Sequence, residues 1–137
     1  MAKPRSIAEI VKEAADQPTF EGKVWTLRNN DHAVLRTLLR MAVDPHVPWI
    51  IPEGKVPFKP CEFPDQEGML YKEARLLYLF LKGGNDNLKP GVREMKFIQL
   101  LECLHAPDAE FLVNVRNHML PPGIDINVIR AAWPGLI

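Results

Sequence analysis

Apolar positions recur at helical spacing along most of the chain, and they fail to do so in one long stretch. In "SIAEIVKEAADQ", Ile7, Ile10, Val11 and Ala14 fall on one face. Ser6 followed by Glu9 forms a capping box, in which hydroxyl and carboxylate satisfy backbone donors at a helix start. Pro18 stops this helix after about Gln17. Thr19 is placed to cap a second helix through "FEGKVWTLRN", with Phe20, Val24 and Leu27 sharing its apolar face. Gly22 lowers its intrinsic stability by roughly 1 kcal/mol relative to alanine. Asp31 is the expected N-cap of "HAVLRTLLRMAV", whose Val34, Leu35, Leu38, Leu39 and Ala42 form a wide stripe that ends near Asp44, before Pro45.

The pattern then breaks. Residues 43–68, "VDPHVPWIIPEGKVPFKPCEFPDQEG", hold no sustained period and carry Pro45, Pro48, Pro52, Pro57, Pro60 and Pro64 of the chain's 13 prolines. "WIIP" and "KVPF" have strand-like composition, but proline at this density rules out a central strand. A long irregular segment in a small protein is usually functional or a linker. This one holds Trp49, Ile50, Ile51, Phe58 and Phe63, each worth about 1.5–3 kcal/mol when buried. The favoured reading is a strap laid across the helices, its prolines lowering the entropy lost on ordering. The other reading is an exposed aromatic docking surface.

Helical periodicity resumes in "GMLYKEARLLYLFLKGG", apolar around most of its circumference and expected as a central helix stopped by Gly83 and Gly84. "NLKPGVREMKFIQLLECLHA" follows, with Pro90 at the first helical position and Val92, Met95, Ile98, Leu101 and Leu104 at core spacing. Asp108 opens "DAEFLVNVRNHML", where Phe111, Leu112 and Val115 face inward. Asp125 caps "INVIRAAW", which Pro134 ends. The chain therefore reads as an all-α domain of six to seven helices, residues 1–137, with a proline-rich strap at 43–68 between the third and fourth.

Composition narrows the function more than it names it. Apolar residues are 47% and charged residues 25%, ordinary for a globular protein, and 17 basic side chains balance 17 acidic ones. A neutral chain lacks the overall field that draws proteins to nucleic acid or anionic membrane, so such binding would need a local patch. Arg36 and Arg40, four apart on the third helix, are the candidate patch, with Lys23 and Arg28 upstream; a solvated helix face is the commoner explanation. The longest apolar run, "ARLLYLFL", is far short of a membrane span, and "MAKPRSIAEI" has no apolar leader core. Cys61 and Cys103 show no CxxC or disulfide spacing and read as reduced thiols, so the expected location is cytoplasmic.

Chemistry is sparsely represented. Ser6 is the only serine and a helix cap explains it; Cys61 has no base beside it in the sequence. His32, His46, His105 and His118 are scattered singly, without metal-ligand spacing, and the loop carboxylates Glu62, Asp65 and Glu67 read as solvating groups. "KGGNDN" lacks the strand and the lysine–hydroxyl pair of a phosphate loop and reads as a turn between helices. No catalytic residue, cofactor site or metal site is expected.

The stretches "LRTLLRMAVDPHVPWIIPEGKVPFKP", "REMKFIQLLECLHAPDAEFLVNVRNHML" and "AAWPGLI" together resemble a group of small proteins of T-even-like tailed phages, including those of marine cyanobacteria. That group includes a phage protein that binds the host RNA polymerase core. The resemblance spans about Ala33 to Ile137 and implies a non-enzymatic accessory protein that binds a large host or phage machine. It carries over no functional residue. The expected function is thus a protein-interaction module docking on RNA polymerase, with Trp49, Lys55 and Phe58, or the Arg36 and Arg40 face, as contacts. The alternatives are a nucleic-acid-binding accessory domain using the Arg36 and Arg40 patch, and a small enzyme built around Cys61 and Glu62. Monomer and dimer remain equally open, since the apolar fourth and fifth helices could be shared between copies or buried within one.

Overall fold

The computed structural model describes residues 6–51, 58–59 and 69–136, and among these described residues it forms seven α-helices and one 3-10 helix. The all-α class expected from periodicity is observed. The helices are α1 (Ile7–Ala15), α2 (Phe20–Asn29), α3 (Ala33–Val43), α4 (Met69–Glu73), α5 (Pro90–Glu102), α6 (Ala106–Arg116) and α7 (Ile126–Ala132), with the 3-10 helix at Ala74–Phe80. α1 lies between α2 and α6, α2 also packs on α7, and α3 crosses both α6 and α7. α5 bridges α6 and the 3-10 helix. A single cluster of buried apolar side chains runs through these elements from Ile7 to Ala132.

Local chemistry sets most helix starts. Ser6 Oγ accepts from the Glu9 N–H at 3.2 Å, Thr19 Oγ1 from Gly22 at 3.0 Å, and Asp125 Oδ1 from Val128 at 3.0 Å. Gly22, poor for helix propensity, has a spatial reason: a Cβ there would lie 2.9 Å from the Thr19 hydroxyl that caps the helix. α3 departs from expectation, because His32, not Asp31, is its N-cap, with Nδ1 accepting from Val34 at 3.1 Å. The Asp31 carboxylate is taken by Arg36, whose Nη1 donates to it at 2.6 Å.

The fourth element is also not one long helix. After five α-helical residues it tightens into the 3-10 helix, and Leu81 leaves it to form an isolated antiparallel bridge with Trp49. Acceptors near the end of the element are claimed from outside: Ile50 N–H donates to Phe80 O at 2.9 Å, and Arg93 Nε to Leu79 O at 3.2 Å. The Lys82 N–H returns the pairing to Pro48 O at 2.8 Å. The "WIIP" segment therefore makes one bridge and no strand among the described residues.

α5 is rotated from the expected face. Phe97, Leu100, Leu101 and Leu104 are buried as aliphatic and aromatic core, but Val92 and Met95 are 43% and 60% exposed and the buried position between them is Arg93. Its guanidinium donates to the carbonyls of Leu79, Asn85 and Leu88 at 3.2, 3.1 and 2.9 Å, tying the "KGGNDN" turn to the helix. A buried guanidinium that satisfies three part-buried carbonyls can displace an aliphatic residue from the inward face.

α6 supplies the other long-range ties. Asp108, fully buried in its first turn, accepts from the Ala8 N–H of α1 at 2.8 Å. Arg116, in its last turn, donates from Nε to Ile51 O and stands 5.6 Å from the centroid of the Trp49 ring. The helix closes in a Schellman motif: His118 takes the left-handed position at φ 57°, with His118 N–H donating to Val115 O and Met119 N–H to Asn114 O.

Candidate functional site

Of the residues singled out from the sequence, Trp49, Phe58, Arg36 and Arg40 are described. Trp49 is half-buried against the core, and its indole N–H finds no acceptor among the described residues. Phe58 also packs on the core, while the adjacent Lys59 N–H donates to Glu102 Oε2 on α5 at 2.9 Å. Lys55 lies outside the described residues, as do most of the proline segment and Cys61, Glu62, Asp65 and Glu67.

Arg36 and Arg40 share a face as expected, but each has a carboxylate partner. Arg36 meets Asp31 at 2.6 Å and Arg40 meets Asp44 at 3.7 Å. The pairs bring together two positive and two negative charges, so the face has little net field with which to attract phosphates.

An accessible aromatic surface lies on α2. Trp25 is 64% exposed and Phe20 48% exposed, and with Val24 they line an open groove of about 570 Å³ against Ala131 of α7. Glu21, Arg28 and Asn29 complete its wall. Glu21 and Arg28 make no ion pair among the described residues. The buried side of α2 is narrow: Leu27 and Thr26 are buried, and the Thr26 hydroxyl donates back to Gly22 O at 2.9 Å, so a polar residue occupies part of the inward face. That rotation turns Phe20 outward and corrects the apolar face expected from Phe20, Val24 and Leu27. The available signal was Trp25 itself, a large apolar residue placed off the Val24–Leu27 line.

Two features hold this face in place. Lys23 Nζ donates to Gly123 O at 2.6 Å, fastening α2 to the turn before α7. Gly123 sits at φ 103°, and a Cβ there would come within 2.6 Å of Ala15 O, so this turn needs glycine. The groove can hold an apolar side chain flanked by charge. Among the described residues no three His, Cys, Asp or Glu side chains are grouped to hold a metal ion. No helix among them is long and apolar enough to cross a membrane.

A family model described as a family of unknown function (DUF6433) matches residues 10–121, from the middle of α1 to just past the end of α6. The chain belongs to this family. The matched span includes all of α2 and the buried ties at Arg93, Asp108 and Arg116, and stops short of α7. No curated protein matches the chain.

Proposed function

We propose that this protein is a non-enzymatic interaction module that docks on a larger protein machine through its α2 face. The observation that carries the reading is the exposure of Trp25 and Phe20 beside Arg28, whose guanidinium has no carboxylate partner among the described residues. Tryptophan and arginine in a desolvatable groove are the residue types that dominate binding energy at protein interfaces. The resemblance to tailed-phage proteins directs the choice of machine to the host RNA polymerase core, reached in the host cytoplasm, with modulation of transcription as the outcome. The nucleic-acid alternative loses support from the Arg36–Asp31 and Arg40–Asp44 pairs.

The test is capture from infected-host lysate with tagged protein at low and high salt, read by mass spectrometry. Polymerase core subunits should be retained at both salts by the wild type and lost by Trp25→Ala, while Arg36→Ala and Arg40→Ala capture normally. Recovery of nucleic acid alone, released by salt and by Arg40→Ala, would replace this reading with the basic-patch one.

A further inference from the structure

The α2 face is complementary to itself. Glu21 and Arg28 are seven residues apart, which places them within about 20° of each other around the helix and about 10.5 Å apart along it. Both line the groove, with Trp25 between them, and neither has an ion-pair partner within the described chain. A two-fold axis perpendicular to α2, passing between Val24 and Trp25, sets Glu21 of one copy opposite Arg28 of the next. By symmetry it sets Arg28 opposite Glu21 as well. The same operation brings the two exposed Trp25 rings together beside the axis. Parallel pairing would oppose like charges at both positions. Ala131, the residue that α7 contributes to the groove, is small enough to let a second helix approach.

We infer that α2 pairs antiparallel with α2 of a second copy of this chain, through two Glu21–Arg28 ion pairs and a Trp25–Trp25 contact. This rests on the reading of the α2 face as an interface and adds a regulation to it: the dimer covers the docking surface, so the partner binds the monomer. One ten-residue helix falls short of the roughly 800 Å² per partner of a standard interface, so the dimer is reversible and concentration-dependent.

Sedimentation velocity on the purified full chain, from micromolar to hundreds of micromolar, tests it. The wild type should shift from monomer to dimer. Glu21→Arg and Arg28→Glu should each stay monomeric, and an equimolar mixture of the two should dimerise, because both opposed pairs become attractive again. Circular dichroism of each variant separates lost pairing from lost folding. A wild type that stays monomeric, or a mixture that does, overturns the inference. A monomeric wild type that still captures its partner through Trp25 overturns the dimer and leaves docking standing. A dimer whose Trp25→Ala variant captures normally supports self-pairing and removes the docking reading.

Discussion

Asp108 connects two helix starts that lie 100 residues apart, and its removal should cost more than the loss of an ordinary cap. The carboxylate is fully buried, lies in the first turn of α6, and accepts the Ala8 N–H of α1 at 2.8 Å, so the positive ends of both helices meet one negative charge. A hydrogen bond to an ionised acceptor contributes about 1.5–3 kcal/mol, and a charge at a helix start about 0.3–1 kcal/mol. Asp108→Ala should therefore destabilise the protein by about 2–4 kcal/mol. Asp108→Asn, which keeps an acceptor of the same shape, should lose roughly half of that. Ser6→Ala, which removes only the local cap from the same helix, should cost about 1 kcal/mol. Urea unfolding followed by circular dichroism reads these as midpoint shifts at constant slope. If Asp108→Ala costs no more than Ser6→Ala, the long-range acceptor contributes nothing beyond a local cap and the reasoning is wrong.

Arg93→Met keeps the aliphatic stem but leaves the carbonyls of Leu79, Asn85 and Leu88 without their donor; a loss of about 3 kcal/mol or more is expected in the same assay, with Arg93→Lys recovering only part. Gly123→Ala meets Ala15 O at 2.6 Å on a backbone at φ 103°, and thermal unfolding should show a loss of at least about 2 kcal/mol. At His118, φ 57°, the imidazole Nδ1 lies 3.3 Å from Ala42 O. His118→Gly removes the left-handed strain along with that contact, whereas His118→Ala loses the contact and keeps the strain, so the glycine variant should be the more stable of the two by about 1 kcal/mol.

The candidate surface was less legible than the helices, and α2 shows why. Its start and length follow from Thr19 and from the run to Asn29, both local features. Its rotation follows from Thr26, which enters the buried face because its hydroxyl can return to Gly22 O, a choice that aliphatic spacing does not register. Trp49 and Phe58, expected as contacts, pack partly on the core for a complementary reason: they are apolar residues in an irregular segment, and periodicity cannot tell which side of such a segment meets the core.

The same division runs through the whole fold. Helix starts at Ser6, Thr19 and Asp125, the helix beginning at Pro90, and the all-α class are legible in the chain, because a cap and its donor lie within three residues and apolar spacing repeats every turn. The cap of α3, the tightening of the 3-10 helix and the rotation of α5 are not, because each depends on competition for a polar partner. Arg36 draws Asp31 away from the helix end, Ile50 takes the Phe80 carbonyl, and Arg93 collects one carbonyl from the 3-10 helix and two from the turn that follows it. Hydrophobic pattern is a property of neighbours in sequence. Which buried donor meets which acceptor is a property of neighbours in space, and here that decided the faces the protein shows to solvent.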